Sequence, residues 1–249
     1  MAEEYFSVPP GDEGRIHVCE GGNLDCGSGL LLIINKAMTA VPEGEILEIR
    51  STEISVKEDL PSWCRMTKNP YLGWRPAENH GKYFVQRGSG GKKPDDDYQK
   101  AREYVWRTRV YWNGGMQAKV FCRNHSWAAG QPASFDVKDD APSAVEYLLG
   151  ALGSCLAMGL QIRASRRNVE IEQVEISLNG KIDNIFVFLG AETEGHSGFK
   201  AITGEAYVKS DAEPEILEQL WQETLAASPV LNTLAHKADI SIGMKAVYN

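Results

Sequence analysis

The chain has 249 residues, of which 43% are apolar and 24% charged, a composition typical of a globular protein with one large or two modest domains. Its formal net charge of −8 argues against a sequence-independent nucleic-acid binder, because such a protein needs a basic face to neutralise phosphates. The N-terminus is acidic and contains a Pro-Pro pair, where a secretory signal would need basic residues and an apolar core. We therefore expect a cytoplasmic protein.

Strand-like and helix-like segments alternate in the first part of the chain. A second helix is predicted to open at Asp59-Leu60-Pro61, with Asp59 near the cap and Pro61 in the first turn. This alternation predicts a small two-layer α/β sandwich, with two helices on one face of the sheet. The other predicted elements are a strand at 15–19, a helix at 28–38, and strands at 45–50 and 83–86.

A linker is predicted at 89–98, because the run from Gly88 to Asp97 combines glycines and charged residues without an apolar residue able to anchor it. It separates a first domain at 14–88 from a second domain at 101–249. In the second domain, strand-like segments at 104–112 and 117–121 flank Asn113-Gly114-Gly115, which predicts a β-hairpin. The elements expected at the C-terminal side are strands at 169–178 and 201–208, a helix at 214–227 that breaks at Ser228-Pro229, a short helix, and a strand at 239–247.

A long apolar helix is predicted from Ser143 to about Arg167. Its apolar part approaches the length of a membrane span, but it carries Glu146 and Gln161 and is isolated in a polar chain. We therefore expect no membrane segment, and interpret this stretch as the central buried helix of an α+β domain.

Five cysteines are widely spaced and include no CxxC pair. Neither a disulfide framework nor a zinc site is predicted. The sequence also has no dinucleotide-binding, Walker or HExxH motif. We therefore expect no metal and no cofactor.

Cys26 stands directly before the first apolar helix, in Leu24-Asp25-Cys26-Gly27-Ser28-Gly29-Leu30, where unpaired N–H groups would stabilise a thiolate or a persulfide. With Pro61-Ser62-Trp63-Cys64-Arg65 in the second helix, this segment resembles the TusA (SirA-like) sulfurtransferases, whose carrier cysteine lies in a Cys-Pro-x-Pro motif. The resemblance implies that Cys26 is a sulfur carrier. Gly27 and Gly29 replace both prolines, so the loop is less rigid than in that family. The alternative is a module that has lost sulfur transfer and in which Cys26 is an unreactive surface thiol.

The helix opening Pro142-Ser143-Ala144-Val145-Glu146 and the later Gly153-Ser154-Cys155 resemble the central helix of the OsmC/Ohr superfamily. The segment Ser228-Pro229-Val230-Leu231 matches the Pro-Val motif of that superfamily. The resemblance covers about 101–249, and implies an OsmC-like α+β fold, an intimate homodimer and a peroxidatic Cys155.

The chemistry that the resemblance implies is attack of the Cys155 thiolate on a peroxide, which gives a sulfenic acid. Family peroxidases resolve it with a second cysteine directly before the Pro-Val motif, where this chain has Ser228. They activate the thiol with a glutamate and an arginine. Glu146 fits the glutamate of the OsmC-like branch, whereas Met116 stands where that branch carries its arginine. Arg123, with His125, is the preferred candidate for a cation near Cys155, and Arg163 is the other. A cation is needed because Cys155 lies in the middle of its helix, away from the positive end.

We therefore expect a thiol-based redox protein that reduces hydroperoxides through Cys155 and uses a thiol reductant. Its Cys26 module acts as a sulfur carrier or, tethered by the linker, as an internal reductant for Cys155. Two alternatives stay open. One is a non-catalytic protein that keeps both folds for binding or dimerisation, and the other is a sulfur-relay protein that takes persulfide at Cys26 and ignores peroxides.

Overall fold

The protein is described by a computed structural model. It describes residue 6 and residues 15–27, 29–89, 95–112, 114–133, 135, 140–236 and 238–246. The chain divides into two compact units, the first formed by Met1–Trp106 with Ile162–Glu170 and the second by Arg107–Gln161 with Ile171–Asn249. Both units combine helices with strands, so the predicted mixed α+β class is confirmed. The domain limits at 14–88, 89–98 and 101–249 stay predictions.

The first unit contains a four-stranded sheet in the order β1-β2-β4-β3. Strands β1 and β2 are parallel, and β4 is antiparallel to both of its neighbours. Because parallel strands need a crossover connection, α1 lies between β1 and β2 in the chain. The elements are β1 (Ile16–Gly22), α1 (Leu30–Thr39), β2 (Ile46–Ser51), α2 (Val56–Thr67), β3 (Tyr71–Pro76), β4 (Gly81–Gln86) and α3 (Asp95–Arg102).

One face of this sheet carries the hydrophobic core. Apolar side chains at alternate positions of β2 and β4 meet apolar side chains of both α1 and α2, as expected for strands with a two-residue period. The predicted arrangement of two helices on one face is therefore observed. Large, fully buried side chains of this core include Leu30, Ile34, Met38, Leu47, Ile49, Leu60 and Val85.

The structure corrects several local predictions in this unit. Helix α2 begins at Val56, so Pro61 lies inside the helix and not in its first turn. Strand β3 and helix α3 were not predicted, and α3 begins within the predicted linker, whose residues 90–94 lie outside the described residues. Helix α1 begins at Leu30 after Gly29, which has a φ of 114°, and the predicted start at Ser28 is also outside the described residues.

The second unit contains a three-stranded sheet and a two-stranded sheet among its described residues. The first has the order β5-β6-β7 and the second pairs β8 with β9, all antiparallel. The elements are β5 (Arg109–Trp112), β6 (Ala118–Cys122), β7 (His125–Ala129), α4 (Ala144–Arg166), β8 (Gln173–Ile182), α5 (Ile185–Phe188), β9 (Phe199–Lys209), α6 (Pro214–Ala227) and α7 (Pro229–Ala235).

The predicted β-hairpin is present, with Trp112 paired to Ala118. Gly114 and Gly115 have φ values of 94° and 55°, a conformation that glycine adopts at little cost, while Asn113 lies outside the described residues. Strand β5 begins at Arg109, later than predicted, and β7 was not predicted at all. A two-residue turn at Arg123 and Asn124 joins β6 to β7.

Helix α4 is buried along one side only. Leu152, Leu156 and Leu160 recur every four residues and are buried, whereas Met158 on another side is 61% exposed. The prediction that this helix is buried on all sides is therefore wrong for the single chain, because one side of the apolar helix remains exposed. By length and composition alone, α4 would be able to cross a membrane.

The strand predicted at 239–247 is absent from the described part of that segment, 238–246. Ile240, Ile242 and Met244 alternate with polar residues, as in a strand, but they are almost fully exposed. Alternation favours a strand only where a neighbouring strand supplies hydrogen bonds and one face is covered. Neither condition is met here, and Val247 lies outside the described residues.

Candidate functional site

The candidate site is centred on Cys155, in the middle of α4. Its thiol is half-buried and free. Helix α4 begins sharply because Ser143 and Glu146 form a capping box: the Ser143 N–H and hydroxyl both donate to the Glu146 carboxylate at 2.7 Å, and the Glu146 N–H donates to the Ser143 hydroxyl at 3.3 Å. The capping box fixes the residue at which α4 begins.

Ser228 lies directly against Cys155. The Ser228 Oγ is 3.3 Å from the Cys155 Sγ, although the two residues are 73 positions apart in the chain. Ser228 is 4% exposed and caps the start of α7, where its Oγ accepts a hydrogen bond from the Leu231 N–H at 3.2 Å. The residue predicted to occupy the resolving position is therefore in contact with the predicted reactive cysteine.

The local sequence explains why Ser228 has this position. Ser228 has extended backbone angles and Pro229 follows at the first position of α7, so the chain leaves α6 and turns into a new helix at this serine. The Asn232 side-chain amide donates to the Ser228 carbonyl at 2.8 Å and to the Ala226 carbonyl at 3.0 Å. These bonds hold the junction between α6 and α7.

Glu146 is not brought to Cys155. It lies nine residues earlier on α4, which is about 13 Å along a helix, and its carboxylate is used in the capping box. Hydrogen bonds from the Ser143 hydroxyl and N–H hold the pKa of Glu146 below its ordinary value. Its predicted role in activating the thiol stays a prediction.

Arg123 is exposed in the turn between β6 and β7, with a φ of 51°. Within the described residues, no hydrogen bond or ion pair joins Arg123 to Cys155 or Glu146. The predicted activating role of Arg123 also stays a prediction.

An apolar cavity of about 640 Å³ adjoins the same stretch of α4. Leu152 and Leu156, which flank Cys155 in the sequence, line it together with Leu231 from α7. Strands β8 and β9 and helix α6 supply the other walls, among them Ile176, Leu178, Ile202, Trp221 and Leu225. Its lining is suited to an apolar group and not to a strongly polar one.

Cys26 lies in the loop before α1, half-buried against the core of the first unit. Burial, together with the nearby carboxylates of Asp59, Asp25 and Glu53, raises the pKa of its thiol to about 11. The expectation that the helix start stabilises a Cys26 thiolate is therefore wrong. The adjacent Asp25 was visible in the sequence, but only the fold places Glu53 and Asp59 near this thiol.

The other three cysteines are also free. Burial raises the pKa of Cys19 to about 11 and that of Cys64 to about 12, as expected for thiols packed in a core. Cys122 is half-buried at the end of β6. Across the described residues, no group of three or more His, Cys, Asp or Glu side chains is arranged to hold a metal ion.

Comparisons with known proteins bear on the second unit. Residues 137–243 match the family model described as OsmC-like protein. No curated protein sequence matches the chain.

Solved structures similar to this chain include three that span about half of it. The OsmC-like protein from Mycoplasma pneumoniae shares 13% identity over 54% of this chain and 90% of its own, with a TM-score of 0.48. A hypothetical protein from Aquifex aeolicus VF5 shares 16% identity over 53% of this chain and 88% of its own, with a TM-score of 0.43. An organic hydroperoxide resistance protein OsmC from Legionella pneumophila shares 13% identity over 53% of this chain and 90% of its own, with a TM-score of 0.40.

These structural similarities are too low to support an argument about function. The family-model match contains all of α4 with Cys155, both strands of the β8–β9 pair, and the Ser228-Pro229 junction. On that match, the C-terminal part of this chain is an OsmC-like domain.

Proposed function

We propose that this protein is a thiol-based redox protein whose OsmC-like domain reduces hydroperoxides through Cys155. The observation that carries the proposal is the contact between Cys155 and Ser228 at 3.3 Å, inside the region that matches the OsmC-like family model. A half-buried thiol with a polar neighbour can meet a small substrate while it is shielded from bulk solvent.

The proposed reaction has three balanced steps. The Cys155 sulfur attacks the outer peroxide oxygen and the O–O bond breaks, so that Cys–SH and ROOH give Cys–SOH and ROH. A small thiol R′SH then gives Cys–S–S–R′ and water, and a second R′SH releases Cys–SH and R′S–SR′. The protein returns to its starting state, and the external thiol is oxidised.

The apolar cavity beside α4 supports an organic hydroperoxide over hydrogen peroxide as the substrate. Leu152, three residues before Cys155, and Leu156, directly after it, line the cavity. An apolar R group placed there would be removed from water, at a gain of about 25 cal/mol per Å², while its peroxide group stays near the thiol.

We also propose that the OsmC-like domain works as a homodimer. Met158 on α4 and Trp112 on β5 are 61% and 77% exposed, and large apolar side chains are seldom so exposed together on a stable monomer. A second copy that packs against the exposed side of α4 would remove Met158 from water.

For the first unit, we propose a TusA-like module on the strength of its two helices over one face of a four-stranded sheet, with Cys26 ahead of α1. A binding module without thiol chemistry is the second candidate, and one observation favours it. The pKa of Cys26 is raised to about 11, so very little thiolate is present near neutral pH to carry sulfur or to reduce Cys155.

The test of the peroxidase proposal compares wild type with Cys155→Ser and Cys26→Ser in the full chain. Consumption of cumene hydroperoxide is followed with limiting dithiothreitol. We expect Cys155→Ser to lose all activity above background and Cys26→Ser to match wild type. Wild-type consumption no faster than that of Cys155→Ser would refute peroxidase activity, and a slow Cys26→Ser variant would show that Cys26 takes part.

A further inference from the structure

We propose that the Ser228 hydroxyl is a catalytic hydrogen-bond donor to the Cys155 sulfur. This rests on the proposed function, since it assigns a role to a residue of the same site. Ser228 thus does more than occupy the position of a missing cysteine.

The contacts of the hydroxyl leave its proton available for donation, and a Cys155 thiolate can only accept. A serine hydroxyl has one proton to donate and two lone pairs that accept. The Leu231 N–H donates to Ser228 Oγ at 3.2 Å and so uses one lone pair. The proton remains available for the Cys155 Sγ at 3.3 Å, within the usual range for a bond to sulfur.

The surroundings make this donor effective. Ser228 is almost fully buried, so water does not compete for its proton, and a hydroxyl that accepts one hydrogen bond is a better donor of the next. The Leu231 N–H, which donates to Ser228 Oγ at 3.2 Å, orients the hydroxyl before the substrate arrives.

The bond has a defined effect on the first chemical step. As Cys155 begins to lose its proton, the sulfur gains negative charge, and a hydrogen bond to a charged acceptor is stronger than one to a neutral thiol. The donor thus favours the thiolate that attacks the peroxide. After oxidation, the same hydroxyl remains beside the sulfenic acid but cannot form a disulfide with it, so an external thiol must complete the cycle.

The experiment measures the rate at which iodoacetamide alkylates Cys155 in the full chain at neutral pH, read by mass spectrometry of the peptide that contains it. Ser228→Ala and Ser228→Gly both remove the hydroxyl, but glycine preserves most of the helix-capping preference. Ser228→Thr keeps the hydroxyl. Asn232→Ala is the control that weakens the α6–α7 junction without touching the sulfur.

We expect about tenfold slower alkylation in both Ser228→Ala and Ser228→Gly, as for loss of one hydrogen bond to a charged group, and near wild-type rates in Ser228→Thr and Asn232→Ala. Equal rates in wild type and Ser228→Gly would overturn the proposal. A loss in Asn232→Ala as large as in Ser228→Ala would also overturn it, because the effect would then come from helix α7 and not from the hydroxyl.

Two further measurements keep the test decisive. Ser228→Cys should form a disulfide with Cys155 after one equivalent of cumene hydroperoxide, and its absence would contradict the contact itself. Alkylation needs no peroxide, so a wild type that fails to consume hydroperoxide while Ser228→Gly still slows alkylation would refute the peroxidase activity and not the hydrogen bond.

Discussion

The two units bury their apolar side chains to different extents. In the first, two helices and a four-stranded sheet enclose a continuous core that includes Leu30, Ile34 and Leu60, all fully buried. In the second, Leu152, Leu156 and Leu220 are buried, but large apolar side chains remain exposed on several elements. Representative examples are Trp112, Met116, Met158, Tyr207, Ile240 and Ile242.

The difference indicates that the first unit completes its core within one chain, whereas the second does not. Burying apolar surface is the main favourable term in folding, and an exposed apolar patch larger than a few hundred Å² is typical of an interface. The candidate site lies in the unit with the incomplete core, so the catalytic geometry and the association of chains are expected to depend on each other.

The largest expected effect is on association. Met158→Glu places a charge on the exposed side of α4, and we expect it to convert a dimer into a monomer at micromolar concentration, because a buried unpaired charge is costly. Sedimentation velocity measures the change. Met66→Glu, at a similarly exposed methionine of α2 in the first unit, is the matched control and should leave the dimer intact. A wild-type monomer would contradict the dimer proposal.

The next effect tests the core of the first unit. Leu60→Ala removes a fully buried side chain and should cost about 3 kcal/mol of stability in that unit. Hydrogen exchange read by mass spectrometry resolves the two units, which need not unfold together. Met66→Ala on the same helix should change protection by less than about 0.5 kcal/mol. Similar losses in both variants would show that this core is not tightly packed.

A smaller effect concerns the sheet face opposite the helices of the first unit. Glu48 is buried there, and it accepts hydrogen bonds from Arg50 at 2.7 Å and Lys82 at 3.2 Å. Burial alone would raise its pKa, but the bonds from Arg50 and Lys82 outweigh burial and hold the pKa of Glu48 below its ordinary value of 4.5.

A carboxyl group with a lowered pKa stabilises the fold above its ordinary pKa, and this contribution is lost as the pH falls through the lowered value. We expect Glu48→Gln to cost about 1–2 kcal/mol at neutral pH, since both cationic partners are partly exposed. The difference from wild type should disappear in acid, as seen in urea titrations at several pH values. A difference that is constant with pH would contradict the charge-based explanation.

The smallest expected effect separates two roles of Glu146. Glutamine also completes a capping box, so Glu146→Gln should keep α4 within about 0.5 kcal/mol of wild-type stability and leave the rate of hydroperoxide reduction unchanged. Glu146→Ala removes the cap and should cost about 1 kcal/mol. A large loss of rate in Glu146→Gln at unchanged stability would instead show that this carboxylate acts on the thiol, which requires a second chain.

The sequence alone predicts those features of the fold that depend on neighbouring residues. The glycine pair at Gly114 and Gly115 predicts the β5–β6 hairpin, because few other residues adopt positive φ without strain. Ser143 and Glu146 predict the start of α4 through their capping box. Ser228-Pro229 predicts the break between α6 and α7, since proline cannot continue the helix before it.

Features that depend on residues distant in the chain were visible only in the tertiary structure. Burial of Cys26, together with the proximity of Asp59 and Glu53, raises the pKa of its thiol, where the helix start was expected to lower it. The hydrogen bond between Cys155 and Ser228 joins residues 73 positions apart, so local propensity does not determine its geometry. Likewise, the alternating residues 239–246 form no strand, because a strand needs a partner for its backbone and an alternating pattern does not supply one.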